Sequence, residues 1–259
     1  MAAPSASEIK ANIQAEDSGV WSQAQARPEG LDKFEDDLSK AIAAAWSDVE
    51  KAFVIASVPV AGGGSPPGGP LAGGTATLAP GTLTNAASFM GISAKFSSAF
   101  PDGATAGVLA LVDAVANGVG QKFPLWVVGY SATLVAMGGS CAWIAPAPPA
   151  NPTGTPGPWT GGMIQAFPLS GGASAGDAMM TASSLQAAIE GVANPSQLKQ
   201  NQGALQPALS ALIGAVAKGF ATTWDSWKAK TKISGGAGTG TASPPSGIVA
   251  GSVAMPTIS

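Results

Sequence analysis

The stretch Gly69-Pro70-Leu71-Ala72-Gly73-Gly74-Thr75-Ala76-Thr77-Leu78 returns as Gly157-Pro158-Trp159-Thr160-Gly161-Gly162-Met163-Ile164-Gln165-Ala166. It returns more loosely as Gly247-Ile248-Val249-Ala250-Gly251-Ser252-Val253-Ala254-Met255. The copies start 88 and then 90 residues apart, and an apolar segment of helical period precedes each. Recurrence at a near-constant interval describes how a whole chain is built, so it outranks any single motif. The Gly/Pro-rich sequence around each copy excludes helix, because proline lacks a backbone donor and glycine is costly there.

Working outward, Phe34, Leu38, Ile42, Ala45, Val49 and Phe53 form one apolar stripe, which predicts a helix over 32–53. Lys33, Glu35, Asp36, Asp37, Lys40, Asp48, Glu50 and Lys51 fill the other faces, and Asp36 with Lys40 has pairing distance i,i+4. A strand follows over 53–60, a loop over 62–70 and a strand over 72–78. The second unit repeats the plan. A helix over 84–100 is broken by Pro101-Asp102-Gly103, and a stripe of Val108, Leu111, Val112, Val115 and Val119 follows. One or two strands are expected over 125–136, a Pro-rich loop over 145–158 and a strand over 159–167. The third unit has a helix over 176–191, ended by Asn194-Pro195-Ser196. Its amphipathic run is Leu205, Leu209, Leu212, Ile213, Val216, Phe220, Trp224 and Trp227, and a strand-loop-strand tail covers 235–259.

Ser65-Pro66-Pro67-Gly68-Gly69 matches Ser243-Pro244-Pro245-Ser246-Gly247, and Trp46 and Trp224 lie 178 residues apart, the sum of the two intervals. The middle copy has no tryptophan at that step, and Phe123 or Trp126 takes it after a shift. The expected fold is therefore α+β, three imperfect repeats of amphipathic helices followed by a Gly/Pro-rich strand-loop-strand segment. The boundaries are an N-terminal arm over 1–30, with a short helix and a turn at Arg27-Pro28-Glu29-Gly30, and units over 31–82, 83–170 and 171–259. One such unit has too little apolar area to stand alone, so the units are expected to share a core.

Charge is scarce and segregated. Only 10% of the 259 residues are charged, against roughly 25% in an average soluble domain. None occurs between Lys51 and Lys95, between Lys122 and Asp177, or after Lys232. Long uncharged stretches fit contact with a neighbour better than a free surface, which normally carries mixed charge. With 12 basic and 15 acidic residues and no basic patch, nucleic acid is not an expected partner. The first residues, Met1 to Glu8, lack the pattern of a signal peptide, and the uncharged run over 123–144 reads as two strands rather than a membrane span.

Histidine is absent, which removes most acid–base chemistry. Val127-Val128-Gly129-Tyr130-Ser131-Ala132-Thr133 resembles a nucleophile elbow, but Thr133 holds the last glycine position and no histidine can take the serine proton. Cys141 is the only cysteine, so neither a zinc constellation nor an intramolecular disulfide is available, and it reads as a small core residue. Glu35-Asp36-Asp37 is the one acidic cluster and reads as a solvated helix face. Asp102, Asp113 and Asp177 are isolated acids, explained respectively by a turn, a solvent-facing helix flank and a helix start. The glycine loops lack P-loop and dinucleotide patterns. No cofactor, metal or catalytic residue is expected.

The tail from Ile233-Ser234-Gly235 to Ile248-Val249-Ala250-Gly251, with its earlier copy, resembles in texture virion structural proteins of tailed bacteriophages or contractile injection particles. That resemblance implies a non-enzymatic structural subunit, made in the cytoplasm without a signal peptide and sited on a capsid, neck, tail or baseplate. It would contact copies of itself and other subunits, in part by adding strands to exposed sheet edges. Candidate contacts are Pro66, Pro67, Pro70, Leu71, Trp143, Pro158, Trp159, Pro244, Pro245, Ile248 and Val249. Trp46, Trp224 and Trp227 are expected in the core. Two alternatives remain open: a glycan-binding protein using exposed tryptophans, and an unusual acid–base enzyme around Asp113 or Asp177.

Overall fold

The computed structural model describes residues 3–21, 30–64, 69–99, 105–144, 146–147, 153–194, 198, 207–244 and 248–258. The expected turns at 27–30 and 101–103, the stop at 194–196, and Pro66, Pro67, Pro245 and Asp102 fall wholly or largely outside these residues. The chain is α+β, and its strands include a six-stranded barrel. It divides into a helical unit (1–52, 85–127, 175–227) and a barrel unit (53–84, 128–174, 228–259). These units cut across the boundaries at 82 and 170. Each third of the sequence puts helices into one and strands into the other.

The helical unit holds α1 (Ala6–Trp21), α2 (Leu31–Lys51), α3 (Ile92–Ala99), most of α4 (Ala106–Gly129), α5 (Ala182–Val192) and most of α6 (Pro207–Lys230). Its centre is aromatic. Trp46 lies 4.9 Å from Phe220 and 5.8 Å from Trp224, and Phe89 meets Phe123 edge-on at 5.2 Å, all ring to ring. Trp46, Phe89, Phe123, Phe220, Trp224 and Trp227 are all buried, as the helical stripes require. Two glycines set the spacing. A Cβ on Gly118 would fall 2.8 Å from Ile189 Cα, and one on Gly219 would fall 2.8 Å from Ile13 Cα.

Three helix expectations change. The helix expected over 84–100 shrinks to α3 and a preceding 3-10 turn over 89–91, because Asn85 and Ser88 bind nearby backbone. Asn85 donates to the Val49 carbonyl at 2.8 Å, and Ser88 Oγ accepts from the Met90 amide at 3.2 Å. The strand expected from 125 starts only at 130, since α4 runs through Pro124 to Gly129. Proline costs one hydrogen bond near the end of a long helix, and the burial of Phe123, Trp126 and Val127 keeps the helical period. Glu35 and Asp37 are buried rather than solvated, because α1 packs on α2. Gln14 Nε2 donates to Glu35 Oε2 and Asp32 Oδ1, each at 2.8 Å, and Lys33 pairs with Asp37 at 2.7 Å.

In the barrel unit β1 (Phe53–Ile55) pairs with β4 (Leu83–Asn85). The barrel comprises β2 (Ser57–Gly64), β3 (Leu71–Leu78), β5 (Tyr130–Cys141), β6 (Gly157–Pro168), β8 (Lys232–Ser243) and β9 (Ile248–Ala254). Every pairing is antiparallel, in the cyclic order β2-β3-β5-β6-β8-β9 and back to β2. β7 (Ala173–Ser174) adds to β5, and β10 (Thr257–Ile258) covers β8 where β9 leaves it. A closed ring has no edge strand. Docking by strand addition to these six therefore loses its geometry. The uncharged run over 123–144 is the end of α4 followed by β5, and no helix among the described residues is long and apolar enough to cross a membrane.

Candidate functional site

The inward face of each strand comes from alternation that shifts by one residue at bulges within β5, β6 and β8, and small residues make the barrel narrow. Leu71, Trp159 and Val249 point inside, opposite Gly64, Cys141 and Ala242 on their hairpin partners. Trp159 fits because Gly162 and Gly238 lie against its ring, and its indole N–H donates to the Gly138 carbonyl at 3.2 Å. The interior is a packed core, not a channel. Burial pushes the Cys141 thiol pKa up from its ordinary value.

These placements correct the candidate contacts. Leu71, Trp143, Trp159 and Val249 are buried within the barrel unit and cannot be surface contacts. Their uncharged Pro/Gly surroundings misled, because in a glycine-lined barrel the glycines are the space into which the large side chains pack. Pro70 and Pro158 are exposed and Pro244 is half-buried. Ile248 opens β9, and its side chain lies outside the description. Six of the seven tryptophans, all but Trp21, are described with their side chains and every one is buried, so no tryptophan platform for glycans stands on the described surface.

Two surface features of the barrel unit remain. The first is the end reached by β2, β5 and β8 and left by β3, β6 and β9. Antiparallel pairing brings the strand ends of all three hairpins, Gly64 with Leu71, Cys141 with Trp159 and Ser243 with Ile248, to that end. Contacts between tips hold it together: the Cys141 amide donates to the Gly69 carbonyl at 3.0 Å, and Gly154 stands so near Pro244 that a Cβ on it would lie 2.7 Å from the proline ring. Beyond Cys141, Ile144 and Thr155 exchange two backbone hydrogen bonds of 2.9 Å. Ile144 is 56% exposed there, a residue that sequence reading missed because it took the uncharged run ending at 144 as strand and started the loop only at 145.

The second is a cleft of about 560 Å³ floored by Thr77, Ser131 and Thr133 and walled by Pro80, Phe167 and Gly172, among others. It presents hydroxyls and no acid, base or thiol, so proton transfer by a side chain has no agent there. Ser131 Oγ donates to the Ala173 carbonyl at 3.3 Å. Asp113 is exposed on α4, and Asp177 accepts a 2.8 Å hydrogen bond from the Trp126 indole. Neither acid lines this cleft. Among the described residues no group of three acids or thiols could hold a metal ion.

The charge map separates the units sharply. All fifteen acids and nine of the twelve bases belong to the helical unit, while the barrel unit has Lys228, Lys230 and Lys232 alone. Those three lie where α6 leads into β8, at the opposite end of that strand from the hairpin tips. Comparison with family models, characterised proteins and solved structures found no match to the chain.

Proposed function

We propose that the chain is a non-enzymatic structural subunit of a large assembly, of the kind that forms phage virions or tail-like particles, and that it docks through the tip end of its barrel. The observation that carries this reading is the gathering of three uncharged Gly/Pro-rich hairpin ends at one place. A free surface without charge favours association. In sequence, the connection between the paired strands of each hairpin also carries a Pro-Pro pair, at 66–67, 148–149 and 244–245. Proline-rich segments lose little conformational freedom on docking.

The same reading takes the chain as three imperfect copies of a helix-then-hairpin unit. Leu38, Ile42, Trp46 and Val49 of α2 have the spacing of Val115, Val119, Phe123 and Trp126 of α4, and of Val216, Phe220, Trp224 and Trp227 of α6, and all twelve are buried. Phe123 thus takes the tryptophan step. The middle helix sits earlier relative to its tail because the connection from Cys141 to Gly157 is the longest of the three. The hairpin pairs Gly64–Leu71, Cys141–Trp159 and Ala242–Val249 correspond in the same way.

Gradient sedimentation of a lysate from cells that make the chain tests the assembly role. The chain should travel with megadalton particles. Recovery only at the mass of a small free protein, in cells that produce such particles, would remove the proposal.

A further inference from the structure

We infer that the cleft over Thr77, Ser131 and Thr133 is a binding site for a neutral glycan, independent of the assembly role. It opens where the ladder beside β5 breaks. β5 pairs with β6 from Ala136 to Cys141 and with β7 at Tyr130 and Ser131, so the ladder on that side is interrupted over 132–135. Successive residues of a strand turn their N–H and C=O to opposite sides, so one of Ala132 and Thr133 turns them into the interruption. The fold does not demand this opening. Where β8 leaves β9 for β10, a Cβ on Gly236 would fall 2.5 Å from Val253 Cγ1 and 3.2 Å from the Pro256 nitrogen. That junction is filled. The one beside β5 is a cleft of about 560 Å³, within the roughly 300–1,000 Å³ of small-molecule sites.

The lining selects the ligand. Thr77 and Thr133 stand opposite each other on β3 and β5, both exposed, and Ser131 shares their side of β5. A hydroxyl donates and accepts at one atom, which matches the hydroxyls of a sugar. Ser131 Oγ donates to the Ala173 carbonyl and still has lone pairs with which to accept. Half-buried Phe167 supplies apolar contact for the C–H groups of a sugar ring. No acid or base lines the cleft, so an ionised ligand would lose hydration without gaining a counter-charge. An extended peptide would find only a short break in the ladder, whereas strand addition uses a continuous edge.

NMR titration of the isotope-labelled full chain with maltose, lactose and N,N′-diacetylchitobiose tests this. At least one of these sugars should shift the amide signals of Thr77, Thr133 and Gly172 together. Thr133→Val keeps the shape of the side chain and should weaken that sugar about five-fold, the effect of one lost hydrogen bond. Ala79→Trp, which fills the cleft, should abolish binding. Thr239→Val, exposed on β8 and outside the cleft, should leave it unchanged. Tm should stay near that of the parent chain in each variant. No shift with any of the three sugars overturns the inference. So does binding that survives both cleft substitutions, or binding lost on Thr239→Val. Tighter binding of digalacturonate, or of an end-blocked Gly-Ala peptide, overturns the choice of a neutral glycan.

Discussion

Trp159 lies so close to Gly162 that a methyl group at position 162 would sit 1.8 Å from the indole Cζ2. No rotation of a side-chain tip relieves this, because the ring fills the barrel. Gly162→Ala should therefore cost about 3 kcal/mol in urea unfolding, at the upper end for an overpacked core. Its neighbour Gly161 has φ of +78°, and a Cβ on it would meet only Gly139 Cα, at an ordinary contact distance of 3.7 Å. Gly161→Ala should cost only the left-handed strain, about 1 kcal/mol. Equal losses at the two positions would contradict the packing described for Trp159.

Helix glycines should split by environment. Alanine is ordinarily better than glycine in a helix by about 1 kcal/mol. Gly118→Ala and Gly219→Ala should nonetheless lower Tm, since the new Cβ would meet the backbone of Ile189 or Ile13. Gly191→Ala in α5 meets nothing within 4 Å and should raise Tm slightly. A Tm gain at 118 or 219 would show that those helices are not held this close.

Cys141 should resist alkylation in the native chain and react fully in denaturant, because the thiol is inaccessible and burial disfavours the thiolate. The folded pKa lies above the ordinary value of 9.0, so the fold holds the thiol neutral. That contribution is complete below the unfolded pKa and is lost as pH rises through the folded one. Cys141→Ser should flatten the alkaline fall in Tm. An unchanged alkaline limb would place its cause elsewhere.

Two surface pairs should act at the acid end. Lys95 beside Asp48, at 2.8 Å, and Lys40 beside Asp36, at 2.5 Å, hold both carboxyls below their ordinary 3.8. A depressed carboxyl contributes stability above its unfolded pKa and loses it as pH falls through the folded one. Lys95→Ala should return the Asp48 titration, followed by NMR, towards 3.8 and shrink the acid loss in Tm. Both pairs are solvent-exposed, so added salt should weaken the effect. An unshifted Asp48 titration in Lys95→Ala would dismiss the ion pair.

Periodicity made the elements legible where it was strong. The stripes through Leu38, Val115 and Val216 run at helical spacing, and the recurring Gly/Pro-rich stretch marked strands around Ala76 and Ile164. What sequence could not convey was which strands meet. Pairing of β2 with β9 joins residues far apart in the chain, and that contact turns three hairpins into a ring. Trp143 and Trp159 were misread for the same reason, since the glycines that receive the Trp159 ring lie on β6 itself and on β8. Ile144 gave no periodic signal, and its exposure depends on a two-residue bridge to Thr155.

Ring closure also constrains how the chain acquires its shape. The hairpins β2–β3 and β5–β6 can form from neighbouring sequence, but β2 finds its second partner only when residues 248–254 exist. Until then a nascent chain shows open β edges and uncovered Val58 and Val60, the features that invite misassembly. Folding should thus be slow for its size, limited by a late long-range zipping step rather than by the helices. Losing β9 would leave not a smaller barrel but a sticky, half-open sheet.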